Sequence, residues 1–263
     1  MEMKSPLTYI GGKSRLAKTI APIVDATPHE CYCEPFCGAA WILFAKEKET
    51  SKAEVVNDAD GELVSFFRVL QIHLLEFIDV YRFAVVSRQI FEWERMKRPE
   101  TLTDLQRAAR YYYLQRLAFG GKVKGRSFGY GTASRPRLDI DGISENLSEV
   151  HRRLSGVVIE HLDGIDCIRR YDRERTLFFV DPPYCGTAGY EVRFPKERYA
   201  GLAEALKGVK GKFLLTINDH PLTREAFKDF RCRGLKTQYS VARDKGRGAA
   251  RELLYSNFDW EAR

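Results

Sequence analysis

The sequence has no apolar run near the roughly 20 residues that a membrane-spanning helix needs. Its first residues, Met1-Glu2-Met3-Lys4-Ser5-Pro6, lack the apolar stretch of a secretory signal. A cytoplasmic location without membrane contact is therefore expected. Histidine is scarce, and the five present are scattered without metal-ligand spacing. Cys31, Cys33 and Cys37 fall as C-x-C-x3-C, which is no zinc pattern, and no His or Cys pair elsewhere completes a tetrahedral site. All six cysteines (with Cys167, Cys185 and Cys232) read as small buried residues in a reducing compartment, and no metal is expected. The G-x-G-x-x-G fingerprint of dinucleotide sites is absent. Gly11-Gly12-Lys13-Ser14 ends like a phosphate loop, but Leu7 stands where the loop's first glycine belongs, which argues against ATP. There are no internal repeats and no low-complexity tract.

The chain is long enough, at 263 residues, for one large α/β domain or one with an inserted subdomain. A content of 44% hydrophobic and 30% charged residues is that of an ordinary globular protein. The net charge of +7 favours a polyanionic partner. Thr176-Leu177-Phe178-Phe179-Val180 has the length and β-branched and aromatic content of a buried strand. Asp181-Pro182-Pro183-Tyr184 must end that strand, because proline has no N–H for the ladder. An acid, two rigid residues and an aromatic ring are thus held at the carboxyl end of a core strand, where open α/β sheets bind ligands. Such a set can grip a flat heterocycle with an amino group. The carboxylate and a proline carbonyl accept from the amine, and the tyrosine stacks on the ring.

Near the start, Ser14 is positioned to cap a helix with Leu16, Ile20, Ile23 and Val24 inward. Residues 31–58 then read as a βαβ unit. A short strand at Cys31 runs through Glu34-Pro35-Phe36-Cys37-Gly38 into a helix at Trp41, and a second strand, Ala53 to Val56, closes in Asn57-Asp58. Asp58 follows Gly38 by 20 residues, the spacing at which an acid ending the second strand meets ribose hydroxyls. From Leu63 to Ile78 apolar residues recur at helical spacing. A further helix is expected from Thr101 or Thr103, and another capped by Ser144. Between those two, residues 119–137 mix five glycines and aromatics with Lys122, Lys124, Arg126, Arg135 and Arg137. Glycine makes the segment loop-like, and the basic groups can reach phosphates or guanine edges. Strands are then expected at Val157–His161, Thr176–Val180, Lys212–Asn218, Leu235–Val241 and Arg251–Asn257, giving seven in all.

Taken together, these residues resemble the DNA N6-adenine methyltransferases of the Dam type, the D12 class, over nearly the whole chain. Tyr9-Ile10-Gly11-Gly12-Lys13 resembles the family's N-terminal motif, and Glu34-Pro35-Phe36-Cys37-Gly38 its E-P-F-x-G motif around S-adenosyl-L-methionine. Asn57-Asp58 resembles the position that holds the cofactor ribose, and Asp163 an acid ahead of the catalytic strand. Asp181 to Tyr184 matches the catalytic motif. Leu222–Glu225 and Arg251–Leu254 resemble looser family segments, and Ala40 departs from a common glycine.

The resemblance implies a Rossmann-like methyltransferase sheet of about seven strands. Residues 1–60 and 155–263 would form the cofactor-binding catalytic domain, and 61–154 an inserted helical target-recognition domain. It implies Asp181, Pro182, Pro183 and Tyr184 as catalytic residues. Tyr9, Gly12, Lys13, Glu34, Pro35, Phe36, Gly38, Asp58, Asp163 and Asp181 would hold S-adenosyl-L-methionine. The expected reaction is methylation of N6 on an adenine flipped out of double-stranded DNA, since the atom is out of reach inside the stack. A cognate restriction endonuclease is a conceivable partner. The rivals are methylation of RNA adenine N6 or DNA cytosine N4, whose enzymes more often carry Asn or Ser at the Asp181 position. A non-catalytic DNA-binding protein of the same fold is a third reading, and the intact motifs argue against it.

Overall fold

The computed structural model describes residues 3–9, 14, 16–129, 131, 135–186, 194–236 and 251–260. Helix α1 (Ala17–Ala26) leads into β1 (Cys31–Glu34), α2 (Trp41–Ala45) and β2 (Ala53–Asn57). β1 and β2 are parallel, with Cys31 opposite Ala53 and Cys33 opposite Val55, so the segment is a βαβ unit. Five helices follow: α3 (Gly61–Ile72), α4 (Leu74–Val80), α5 (Arg88–Met96), α6 (Asp104–Leu117) and α7 (Ile143–Leu154). The chain then returns to the sheet through β3 (Val158–Glu160), α8 (Gly164–Tyr171) and β4 (Thr176–Val180). It ends in α9 (Glu197–Lys207), β5 (Lys212–Asn218), α10 (Pro221–Ala226), β6 (Arg231–Lys236) and β7 (Arg251–Ser256).

The seven strands form one sheet in the order β3-β2-β1-β4-β5-β7-β6. β1 to β5 are mutually parallel, and β7 runs antiparallel between β5 and β6. The order reverses between β1 and β4, so the crevice of the sheet opens at their carboxyl ends. Both faces are covered, which is why β4 is apolar at nearly every position and wholly buried. Leu177 and Phe179 join one core with Tyr32, Val56 and the inner residues of α1 to α7. Phe178 and Val180 join the other, with Cys33, Val55 and α8 to α10. The apolar residues of segment 61–154, among them Phe66, Tyr112 and Leu147, are continuous with the first core.

Local chemistry sets several boundaries. Thr103 starts α6 in a capping box, its hydroxyl accepting from Gln106 N while the Gln106 side chain accepts from Thr103 N. The Ser14 and Ser144 caps are not formed: the N-caps are Leu16 and Gly142. The helical run from Leu63 to Ile78 breaks at His73, where φ is -126° and ψ 43°, and this leaves Leu75 76% exposed. The sixth strand lies earlier than its apolar content suggests. It begins at Arg231 because it pairs with β7 at the sheet edge, where polar residues are tolerated. Positions 237–241 of that expected strand lie outside the described residues. No helix among the described residues is long and apolar enough to cross a membrane.

Candidate active site

The crevice between β1 and β4 collects most of the singled-out residues. Asp181 leaves the end of β4, and its Oδ1 accepts a 2.8 Å hydrogen bond from the hydroxyl of Thr216 on β5. Pro182 is buried, and Pro183 and Tyr184 are half-buried, the Tyr184 ring packing on the second core. The Pro183 carbonyl accepts from Tyr199 Oη at 2.7 Å. Cys185 exchanges two backbone bonds with the Asn218 side chain, donating to Oδ1 at 3.2 Å and accepting from Nδ2 at 3.1 Å. The motif is therefore held on both sides by β5 and α9.

Across the crevice, β1 ends in Glu34, which is 1% exposed. Its Oε1 accepts from Tyr32 Oη at 2.8 Å and from Leu43 N at 2.7 Å. Burial pushes the Glu34 carboxyl up to about 8 against those two bonds, with the Asp181 charge adding to the rise. Pro35 is buried and its carbonyl accepts from Asn57 Nδ2 at 2.8 Å. The same amide donates to Leu162 O at 3.1 Å and accepts from Leu162 N at 2.8 Å. Asn57 thus staples the carboxyl ends of β1, β2 and β3 together.

Gly38 turns left-handed with φ +48°, and its N–H donates to Asp58 Oδ2 at 3.0 Å. A Cβ there would stand 3.3 Å from the Tyr9 ring, so Tyr9 covers the turn closely. Ala40 is also left-handed (φ 51°, ψ 39°), which explains why a glycine is common in its place. An L-residue there costs about 1–2 kcal/mol, and only a small side chain limits the cost. Phe36 lies over Gly164, where a Cβ would come within 2.3 Å of the ring, and meets Phe194 edge-on at 5.8 Å. Beside it Asp163 caps α8 through Ile165 N and pairs with Arg198. Burial works to raise the Asp163 carboxyl, but the Arg198 and helix N–H bonds hold it below the usual range.

Next to Asp58, Asp60 Oδ2 and Tyr111 Oη are buried without a hydrogen-bond partner. Burial and the Asp58 charge push the Asp60 carboxyl up to about 7. Burial likewise raises Asp58, against the Asp60, Gly38 and Ala59 N–H groups. A left-handed glycine turn under the Tyr9 ring, an acid at the end of β2 and two unpaired polar atoms beside it fit a nucleoside with a charged tail. Gly12 and Lys13 lie outside the described residues.

The basic segment is tied to this side of the crevice. Ala118 and Phe128 form an antiparallel bridge that closes the loop's first half. Lys122, Lys124, Arg135 and Arg137 are exposed. Arg126 is half-buried: its Nε and Nη2 donate to Gln115 Oε1 at 3.2 and 3.0 Å, and its guanidinium lies 5.1 Å from the Tyr111 ring centre. Gln115 in turn donates to Thr8 O and Gly121 O. The holding residues Thr216, Asn218, Tyr199 and Gly164 carried no such signal in the sequence, because each reads as an ordinary strand, helix or turn residue until the strands are paired.

The sheet carries one motif on each side of its switch point, and the match to a methyltransferase family makes the chain an enzyme that uses S-adenosyl-L-methionine. The chain belongs to the D12 class of N6 adenine-specific DNA methyltransferases, whose family model matches residues 9–241. It is 24% identical over 273 residues to the Type II methyltransferase M1.LlaDCHI of Lactococcus lactis subsp. cremoris, covering 95% of this chain and 94% of that protein. Among solved structures, SMU.472 complexed with SAH aligns with a TM-score of 0.36 at 13% identity. That alignment takes in 100% of this chain, which spans 55% of the other's length.

Proposed function

We propose that this chain methylates N6 of an adenine flipped out of double-stranded DNA. The observation that carries the reading is the placement of Asp181-Pro182-Pro183-Tyr184 and Glu34-to-Gly38 on opposite lips of one switch-point crevice. The Asp181 carboxylate accepts one hydrogen bond from the target amino group. The backbone carbonyl of a motif proline, Pro182 or Pro183, accepts the other; that of Pro183 already accepts one bond from Tyr199 and keeps a second lone pair. Two acceptors fix the amino nitrogen so that its lone pair, not its N–H bonds, points into the crevice. Positioning and electrostatics of this kind need no covalent intermediate. Tyr184 stacks on the flipped ring, a contact worth roughly 1–3 kcal/mol. S-adenosyl-L-methionine supplies, when bound, the methyl group of its sulfonium. Asp58 holds its ribose. Tyr9, Phe36 and the Gly38 turn enclose it, Glu34, Pro35 and Asp163 complete its side of the crevice, and Asp60 and Tyr111 offer further polar contacts; Gly12 and Lys13 are assigned to the cofactor from their motif alone.

Segment 61–154 serves as the target reader. Lys122, Lys124, Arg135 and Arg137 contact phosphates or bases, and Arg126 holds the loop from inside. The likeness to a protein called a Type II methyltransferase supports a restriction–modification setting; a cognate endonuclease is the partner that such a setting would require. The test is transfer of labelled methyl groups to duplex DNA, duplex RNA and protein, with the product nucleoside identified. N6-methyladenine in DNA alone is expected. N4-methylcytosine, or label in RNA, contradicts the reading.

A further inference from the structure

The two side chains that reach the motif from β5, Thr216 and Asn218, stand on one face of the strand because side chains alternate along it. Asn218 grips the backbone after the motif. Thr216 does something more specific: it is 0% exposed, and its hydroxyl donates to the carboxylate of Asp181 itself. A buried hydroxyl needs an acceptor in any protein. This one has its acceptor in the group that must meet the substrate amine at a defined angle. An aspartate side chain at a strand end can rotate about two bonds, and each rotation swings its oxygens away from the crevice. A 2.8 Å bond from a fully buried β-branched residue, whose own χ1 is stiff, restricts that freedom before substrate arrives.

We propose that Thr216 is a positioning residue for methyl transfer, holding the Asp181 carboxylate in the orientation that receives the target amino group. The inference rests on Asp181 being the acceptor for that amino group. It assigns Thr216 no contact with substrate or methyl donor. Its effect therefore falls on kcat, while the affinities for DNA and for S-adenosyl-L-methionine stay as they were. Losing a hydroxyl donor to a carboxylate corresponds to a fall of about ten- to a hundredfold.

The test uses the full chain with Thr216→Val, Thr216→Ser and Asp181→Ala. Thr216→Val keeps the shape and the strand preference but removes the donor; Thr216→Ser keeps the donor. Turnover on duplex DNA is measured beside calorimetric affinity for S-adenosyl-L-methionine and the melting temperature. The expected result is a ten- to hundredfold lower kcat for the valine variant at unchanged affinity, with at least half of wild-type kcat in the serine variant. Wild-type kcat in the valine variant overturns the proposal. So does an equal loss in valine and serine variants, or a loss that tracks a lower melting temperature, since Thr216 would then be a packing residue. Asp181→Ala separates the two levels. Retained turnover there overturns the reading of the site itself. An inactive Asp181→Ala beside a fully active Thr216→Val overturns only the role of Thr216.

Discussion

Glu34→Gln should stabilise the protein at alkaline pH and leave it unchanged near pH 5. Glu34 is 1% exposed, and burial moves its carboxyl from the ordinary 4.5 up to about 8. A folded value above the unfolded one means that the folded state holds the proton more tightly. The associated stability is complete below about pH 4.5 and is lost as pH rises to about 8. Each pH unit in that window removes about 1.4 kcal/mol. The ceiling is near 5 kcal/mol, and water entry and relaxation on ionisation reduce it to roughly 2–4 kcal/mol. Glutamine has nearly the same shape, and its carbonyl oxygen can still accept from Tyr32 Oη and Leu43 N. It carries no charge at any of these pH values. For a chain of this size the gain is a melting temperature higher by on the order of 5–10 °C at pH 8.5. Thermal unfolding of wild type and variant from pH 5 to 9 is the assay. A melting-temperature difference that stays constant across that range refutes the argument, because the difference must grow with pH and level off above 8.

Four other outcomes are expected. Gly164→Ala drives a Cβ to 2.3 Å from the Phe36 ring and should weaken S-adenosyl-L-methionine binding at least tenfold by calorimetry, whereas Gly201→Ala, with its nearest neighbour 3.8 Å away, should not. Asn57→Ala leaves the Pro35 carbonyl and both Leu162 backbone groups without their partner and should cost about 3 kcal/mol, read as a lower urea midpoint at unchanged slope. Replacing Lys122, Lys124, Arg135 and Arg137 by Gln should lower the salt slope of DNA binding by about one unit for each phosphate that is no longer neutralised. Arg126→Ala should instead lower the melting temperature, because its guanidinium is engaged by Gln115 and Tyr111.

The strands of the sheet were legible wherever burial on both faces writes a continuous apolar run, as in Thr176–Val180. They were harder to place at the edge, where Arg231-Cys232-Arg233-Gly234 pairs without an apolar face. A helix start at Thr101 or Thr103 was legible from the apolar spacing that follows, and the capping box with Gln106 settles it on Thr103 in the fold. Ser14 and Ser144 carry the right hydroxyl, yet the chain begins both helices elsewhere. At the site, motif residues announce themselves by unusual chemistry, such as paired prolines beside an acid or a glycine turn twenty residues ahead of one. The residues that hold them do not. Thr216 and Tyr199 act through partners 35 and 16 positions away, relations that exist only once β5 and α9 lie beside the end of β4. Arg126 shows the converse: its composition matches its exposed neighbours, and only the fold turns it inward.

The central claim is that the Asp181 carboxylate orients the amino group that is methylated. It is tested most directly by Asp181→Ala, with single-turnover methylation of duplex DNA and calorimetric S-adenosyl-L-methionine affinity measured on the same preparation. The account predicts N6-methyladenine formation slowed by at least about a hundredfold, the charge-assisted bond giving ten- to a hundredfold and loss of orientation the rest, with the methyl donor still bound. Methylation within a few-fold of wild type, at any affinity, would contradict it.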